Sequence, residues 1–182
     1  AGTSGNFTTD ASGNQVITFN APASAGSYNV VVTGLGVSTT KVIDVIGSDG
    51  LGKPVVPNTI SISSPSLSPL PTSIPANLSG STTNRSRLSA KFLTTSNTPI
   101  ENMRVRFEIV PPSLSNGEAI STGGATVYTN SSGIAEADYI SGTRTSPTNG
   151  VLVRACYKKT DFTGANDCPE SVSANLTVAG TP

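Results

Sequence analysis

The sequence of 182 residues has no tryptophan, no histidine and one methionine, and only 12% of its residues are charged. Lysines plus arginines equal aspartates plus glutamates at 11 each, so the chain has no electrostatic reason to bind nucleic acid or an anionic membrane. No apolar run approaches the roughly 18 residues of a membrane-spanning helix. With neither histidine nor a G-x-S-x-G motif, the sequence favours no enzymatic activity and no cofactor.

Two cysteines, Cys156 and Cys168, lie in the segment "ACYKKTDFTGANDCPE". An even cysteine count in a polar, Ser/Thr-rich chain is typical of exported proteins, and a bridge here would close a small loop. The alternative is a pair of free thiols. The first residues, "AGTSGNFTTD", contain neither methionine nor an apolar leader, so we expect a processed or excised piece of a longer protein.

Apolar and polar residues alternate along many short segments, which predicts strands with one buried face. In "ENMRVRFEIV", Met103 and Phe107 belong to the inward face, whereas Arg104 and Arg106 belong to the outward face. A similar alternation in "SVSANLTV" places Leu176 inward, so we expect Phe107 and Leu176 to face each other across the interior. An apolar period of 3.6 residues nowhere persists for three turns, so no long helix is predicted.

Strands of this kind, separated by Gly, Pro, Asn and Ser turns, predict an all-β antiparallel sandwich of immunoglobulin (Ig) type. A barrel is the alternative, although nothing in the sequence specifies closure. Seven strands are predicted in the C-terminal two thirds of the chain, at 58–64, 86–95, 102–110, 118–128, 133–141, 150–159 and 170–179.

A turn-and-strand motif occurs twice, as "TDASGNQVITFN" from Thr9 and as "TNSSGIAEADYI" from Thr129. In each copy an Asp or Asn can bond its own backbone, a glycine can adopt a positive φ, and two further strands follow. We therefore divide the chain into the C-terminal half of one repeat (1–49), a linker (50–57) and a complete Ig-like domain (58–180).

The half repeat has too few strands to cover its own apolar face. The cover could come from another part of the parent protein, from a neighbouring chain by self-association, or from the complete domain. The residues of this face are Ile17, Phe19, Tyr28, Val30 and Val32.

Two segments rich in proline interrupt the strands. "GSDGLGKPVVPN" has few contacts to make and is interpreted as the linker. "SPSLSPLPTSIPANLSG" is expected to be an irregular edge segment, because proline cannot donate a hydrogen bond to a β-ladder.

Three motifs resemble the bacterial Ig-like domain of the invasin and intimin type. They are "PIENMRVRF" at 99–107, "TNSSGIA" at 129–135 and "GVLVRA" at 150–155. The long Pro/Ser insert and the cysteine pair depart from the family pattern. The resemblance implies an extracellular tandem array, often a stalk that projects an adhesive tip from the outer membrane.

These observations predict a non-enzymatic spacer module of a bacterial surface or secreted adhesin-like protein, whose partners are neighbouring Ig-like domains. The alternative is a module that binds a host protein or glycan through the Cys156–Cys168 loop, with Lys158, Lys159, Asp161 and Phe162 as contact residues. No metal centre is expected, although four aspartates are candidate calcium ligands because calcium takes oxygen donors from loops. They are Asp44 and Asp49 near the linker, and Asp161 and Asp167 in the cysteine loop.

Overall fold

A computed structural model describes residues 5–17, 26–45, 53–111 and 116–180 of the chain. The described residues contain eleven β-strands and no helix. Within this part of the chain, therefore, no helix is long and apolar enough to cross a membrane. The strands are β1 Gly26–Gly34, β2 Val37–Val45, β3 Ile62–Leu70, β4 Ser73–Pro75, β5 Arg85–Thr94, β6 Arg104–Ile109, β7 Ala119–Ile120, β8 Val127–Tyr128, β9 Ile134–Ile140, β10 Val151–Lys158 and β11 Glu170–Ala179.

The strands from β3 onward form two sheets with one shared core. One sheet has the order β3-β5-β9-β7 and is antiparallel, and the other has the order β4-β11-β10-β6-β8. The second sheet is mixed, because β4 runs parallel to β11. Buried side chains from both sheets belong to one cluster, and Phe92 of β5 meets Tyr157 of β10 edge to face at 4.9 Å. The fold is thus all-β and sandwich-like.

The period-two pattern correctly predicted which side chains enter the core. Burial of alternate residues gives the inward faces of β5 and β9 a continuous apolar surface. Phe107 and Leu176 are also buried, at 1% and 0% exposure. The expectation that they face each other across the interior is wrong, however, because β6 and β11 lie in the same sheet on either side of β10. The predicted inward residues of β5 and β9 that are buried are Leu88, Ala90, Phe92, Ala135, Ala137 and Tyr139.

The segment 118–128, predicted as one strand, crosses between the sheets. β7 pairs with β9 in the four-stranded sheet, whereas β8 pairs with β6 in the other. Gly123 and Gly124 both have positive φ in the turn between them, at 58° and 84°. Two glycines in succession allow this change of direction without the steric cost that other residues would meet.

The first seven residues of the Pro/Ser segment, which was expected to be irregular, belong to the nine-residue strand β3, and three later residues form β4. The predicted strand at 58–64 accordingly begins later, at Ile62. β3 lies at the edge of its sheet, and its register against β5 shifts between Ser63 and Ser66. Pro65 and Pro69 fit there because an edge strand needs ladder hydrogen bonds on one side only.

The two copies of the repeated turn have the same hydrogen bonds. The Asp10 carboxylate accepts from the backbone N–H groups of Ser12 and Asn14, and the Asn130 side-chain oxygen accepts from those of Ser132 and Ile134. In both copies the glycine donates to the backbone oxygen of the Asp or Asn, and its φ is 79° at Gly13 and 72° at Gly133.

The surroundings of the two turns differ. A Cβ on Gly133 would press into the backbone oxygen of Phe92, whereas a Cβ on Gly13 would meet nothing within 4 Å. β9, which follows the second turn, pairs with β5 and β7. Of the matching strand predicted after the first turn, at 14–19, residues 14–17 form no strand, and the last two residues, including Phe19, lie outside the described residues.

This difference gives a matched pair of substitutions. Gly133→Ala is expected to lower the free energy of unfolding of the complete domain by about 2–5 kcal/mol, because a left-handed backbone and a steric clash act together. Gly13→Ala meets only the backbone cost, and we expect no measurable change in the same transition. Urea denaturation of both variants provides the measurement. Equal losses would show that the two turns have equivalent surroundings.

Candidate functional site

A fully buried guanidinium, that of Arg104, lies on the outer side of the five-stranded sheet. Its Nε donates to the Asp161 carboxylate at 2.8 Å, and its Nη2 donates to the backbone oxygen of Lys53 at 2.9 Å. Its Nη1 donates to the backbone oxygens of Pro54 at 2.5 Å and Asn102 at 2.9 Å. The guanidinium carbon also lies 5.2 Å from the centre of the Tyr128 ring. Arg104 therefore joins β6 to two distant segments of the chain.

Arg106 lies two residues further along β6 on the same face. It contacts the later part of the segment between Cys156 and Cys168. Its side chain donates to the backbone oxygens of Gly164 and Asp167, both at 3.0 Å, and its Nε donates to Glu108 at 2.9 Å. Its guanidinium carbon lies 4.7 Å from the centre of the Phe162 ring. Arg106 is 6% exposed and Arg104 is 0% exposed.

The exposure of these two arginines corrects the sequence-based expectation. Alternation correctly placed them on the outward face of the strand, but that face is covered by residues 53–57 and by the segment Cys156–Cys168, here called the disulfide loop. A buried guanidinium is tolerated only when its charge and its N–H groups find partners. The contacts of Arg104 and Arg106 meet this requirement.

Residues 53–57 form part of the complete domain, which corrects their interpretation as a linker with few contacts. Val55 and Val56 are 2% and 3% exposed, and Val56 belongs to the core cluster. The Val56 N–H donates to the backbone oxygen of Lys159 at 3.0 Å. We call the contacts of residues 53–57 with Arg104 and the disulfide loop the Arg104 junction.

The predicted disulfide is confirmed between Cys156 and Cys168, whose Cα atoms are 5.2 Å apart. Cys156 is fully buried in β10, whereas Cys168 is half-buried just before β11. The bridge closes the segment that supplies Asp161 to Arg104 and the Lys159 carbonyl oxygen to Val56. It therefore holds both groups close to residues 53–57.

The four predicted contact residues of the disulfide loop all have partners within the domain. Lys158 forms an ion pair with Asp167 at 2.8 Å, and the Lys159 ammonium donates to the backbone oxygens of Asn58 and Ile60. Asp161 pairs with Arg104, and Phe162 lies under Arg106. Their polar groups and the Phe162 ring thus stabilise the loop, whose exposed part is the run 163–166.

The candidate calcium ligands do not come together in the described residues. Asp161 and Asp167 are each paired with a cation, as described above. Asp44 lies in β2 with its side chain outside the described part, and Asp49 lies outside the described residues altogether. Where the chain is described, no cluster of three or more His, Cys, Asp or Glu side chains could hold a metal ion.

A second set of ion pairs covers the outer face of the four-stranded sheet. Arg87 of β5 contacts Asp138 at 2.6 Å and Glu136 at 3.3 Å, both on β9, and Arg85 contacts Asp138 at 3.7 Å. The Asp138 and Glu136 hydrogen bonds and charges hold the pKa of Arg87 above its ordinary value. Half of the Arg87 side chain is exposed, so solvent screens these ion pairs, whereas Arg104 in the Arg104 junction is buried.

Glu108 connects Arg106 to a third arginine, Arg154 of β10. Arg154 donates to the same carboxyl group through Nε at 2.9 Å and through Nη2 at 2.7 Å. Partial burial opposes ionisation of Glu108, but the hydrogen bonds from Arg154 and Arg106 outweigh it and hold its pKa below the ordinary value. Glu108 thus balances part of the positive charge next to the disulfide loop.

The Asp167 carboxylate should make the stability of the loop depend on acidity. Hydrogen bonds from the Lys158 ammonium and from the Thr163 N–H and hydroxyl lower the pKa of Asp167 from 3.8 to about 2. A carboxyl group whose pKa is lowered by folding stabilises the fold above the unfolded pKa, and this stabilisation is lost as the pH falls through the folded pKa. The stabilising contribution should therefore disappear between about pH 4 and pH 2.

We expect the difference in urea midpoint between the wild type and Asp167→Asn to be largest above about pH 4 and to shrink toward pH 2. NMR titration of the Asp167 carboxyl carbon measures its pKa directly. Lys158→Met should move that titration upward, toward the ordinary aspartate value. An Asp167 that titrates near 3.8 in the wild type would contradict the assignment of these hydrogen bonds.

Comparison with known proteins finds no matching protein-family model and no matching curated protein. The resemblance to invasin- and intimin-type domains thus depends on the three sequence motifs alone, and the class that the structure establishes is the all-β, sandwich-like fold. What the structure adds is the Arg104 junction.

Proposed function

We propose that this chain is a non-enzymatic structural spacer, part of a tandem array of Ig-like domains in a bacterial surface or secreted protein. The observation that carries the proposal is the Arg104 junction. A segment that enters the domain from the N-terminal side is held by three hydrogen bonds, two from Arg104 and one to Lys159, instead of leaving freely from the surface. A spacer needs such fixed entry points, because a loose connection does not set distance or direction.

The strand order supports the Ig-like part of the proposal. In Ig domains one sheet has the order ABED and the other contains C, F and G. If β3, β5, β6, β7, β9, β10 and β11 are read as strands A to G, the first sheet matches ABED and the second contains G, F and C in that order. The additional β4 pairs parallel with β11 and β8 pairs with β6, which extends the second sheet on both sides.

The repeated turn supports the tandem arrangement. Two turns of the same hydrogen-bonding pattern, at Asp10 and Asn130, each precede an antiparallel pair of strands, β1–β2 and β10–β11, and β9 stands between the second turn and its pair. In this reading β1 and β2 correspond to β10 and β11, and residues 1–49 represent the second half of a preceding domain. Neighbouring domains of the same parent are then the partners of this chain.

The disulfide supports an exported module, because disulfides are typical of proteins that fold in an oxidising compartment.

Single-molecule stretching of the full chain tests the spacer proposal. β4 and β11 are parallel neighbours. A force that acts on the N-terminal end of β4 and on the C-terminal end of β11 therefore shears the hydrogen bonds between the two strands. We expect one discrete unfolding step for the complete domain, of roughly 400 Å with the disulfide intact. Reduction should lengthen it by the 12-residue separation of the cysteines, about 40 Å. Gradual extension without a discrete step would contradict a mechanical role.

The second candidate function is recognition of a host protein or glycan by the disulfide loop. The bridge and the two arginines pre-organise the exposed run 163–166, which lowers the entropy that binding would cost. A glycan and protein array probed with the full chain separates the candidates. Binding that is lost on exchange of residues 163–166 for an unrelated sequence of equal length favours recognition, whereas no binding at high micromolar concentration favours the spacer.

A further inference from the structure

The two cysteines of the disulfide differ in their access to solvent. Cys156 is 0% exposed within β10, whereas Cys168 is half-buried just before β11. The bridge therefore runs from the buried side of the loop toward the surface. In thiol–disulfide exchange a thiolate attacks one sulfur and expels the other, along the line of the S–S bond. A thiolate that arrives from solvent along this line meets Cys168, because the line toward Cys156 begins on the buried side.

The sulfur that would be expelled lies next to a buried cation. Cys156 is directly opposite Arg106 in the pairing of β10 with β6, so both side chains are on the outward face of the sheet. The Cβ atoms of such a pair are about 4.5–5.5 Å apart. A neighbouring arginine favours the thiolate form of cysteine, and a more stable thiolate is the better leaving group. The Arg106 guanidinium also has more N–H groups than the three that donate to the acceptors described above.

The charges around Cys156 leave room for one further negative charge. Burial by itself disfavours a thiolate, so the surrounding charges decide whether one is tolerated. The ion pairs on this outward face contain four cations and three carboxylates, which leaves one positive charge in excess. The cations are Arg104, Arg106, Arg154 and Lys158, and the carboxylates are Glu108, Asp161 and Asp167.

We propose that the disulfide is a thiol-exchange site, at which a small thiolate attacks the Cys168 sulfur and expels Cys156 as a thiolate next to Arg106. A bond forms between the incoming sulfur and Cys168, and the electron pair of the broken S–S bond goes to Cys156. A second small thiolate then attacks the adduct sulfur and releases Cys168. The protein disulfide thereby gains two electrons, and two small thiols are oxidised to their own disulfide.

Exchange at this site reaches the Arg104 junction. The bridge confines the segment that supplies Asp161 and the Lys159 carbonyl oxygen to the junction, and an adduct at Cys168 removes this confinement. The Val56 amide should therefore exchange its hydrogen faster in the adduct than in the oxidised chain, and equal rates would overturn this control of the junction. The use of the site to adjust a fixed entry point rests on the proposed spacer function, whereas the exchange chemistry does not.

The position of the adduct on the wild type tests the direction of attack. The full chain, folded and oxidised, is treated with β-mercaptoethanol, quenched with acid and alkylated in denaturant before the cysteine peptides are weighed. We expect the mercaptoethanol adduct on Cys168 and the alkyl group on Cys156, at a rate that urea below the unfolding transition does not change. An adduct chiefly on Cys156, or a rate that follows the unfolded fraction, overturns the proposal.

Two substitutions of Arg106 test the role of its charge. Arg106→Lys and Arg106→Gln both lose the forked contacts with Gly164 and Asp167, but only lysine keeps the positive charge. We expect Arg106→Lys to form the adduct at least about threefold faster than Arg106→Gln. Arg87→Gln removes one positive charge from the other sheet and should react like the wild type. Equal rates for the two folded Arg106 variants would overturn the role of Arg106, and the adduct position in the wild type tests the site even if neither variant folds.

Discussion

Arg104→Ala is expected to lower the free energy of unfolding of the complete domain by about 3–5 kcal/mol, the cost of removing one partner from a buried ion pair. The substitution leaves the backbone oxygens of Lys53 and Pro54 without their donor, and leaves Asp161 without its cation. It also opens space beside Tyr128. Each of these effects acts in a site where the arginine is fully buried, so solvent screens little of the loss.

Chemical denaturation of Arg104→Ala, Arg104→Lys and Arg87→Ala provides the measurement and its controls. Lysine keeps the charge but cannot reach several acceptors in different directions, so Arg104→Lys should recover only part of the loss. Arg87→Ala removes an exposed cross-strand pair, which solvent screens, and should have only a small effect on stability. If Arg104→Ala costs no more than Arg87→Ala, the junction does not stabilise the domain.

Removal of the disulfide has the second large expected effect. The chain-entropy account gives about 3 kcal/mol for a closed loop of this size, and we expect the double variant Cys156→Ala with Cys168→Ala to lose this much stability. Without the bridge, the segment that presents Asp161 and the Lys159 carbonyl oxygen is also less confined. The loss should therefore reach residues 53–57 as well as the loop itself.

Thermal and urea denaturation with and without a thiol reductant check this result. The reductant should destabilise the wild type by about the amount found for the double alanine variant. It should have no effect on that variant, which contains no cysteine. A wild type that is indifferent to complete reduction, verified by mass, would show that the hydrogen bonds of Arg104 and Arg106 alone keep the loop in place.

The strands of the complete domain could be predicted closely because their apolar residues alternate. β5, β9, β10 and β11 each begin and end within one residue of the predicted bounds. A two-residue period is the direct consequence of a strand that buries one face, so position and orientation follow together. The disulfide was predictable from the cysteine count and the polar composition.

Alternation cannot show what covers the outward face of a strand. Arg104 and Arg106 occupy outward positions, where arginine is normally solvated, and they are buried because the disulfide loop and residues 53–57 return over this face. A signal did exist, because the loop contains Asp161 and Asp167 and is adjacent in the chain to β10, the neighbour of β6. The sequence does not reveal that residues 53–57 return to the same place, since "KPVVP" is as compatible with a free linker as with a docked segment.

The remaining differences between the predicted and the observed strands involve proline and strands of only two residues. The start of the Pro/Ser segment belongs to β3 because a strand at the edge of a sheet tolerates proline. β7 and β8 have two residues each, too few for any period to separate them, so the sequence predicted one strand where two belong to different sheets.

Native-state hydrogen exchange at the Val56 amide tests the central claim, that residues 53–57 are part of the complete domain and are held there by Arg104. This N–H donates to the Lys159 backbone oxygen in a segment that would otherwise be a linker. We predict that Val56 exchanges nearly as slowly as Val105 in the core strand β6, and that Arg104→Ala accelerates Val56 far more than Val105. Fast exchange of Val56 in the wild type would contradict the account.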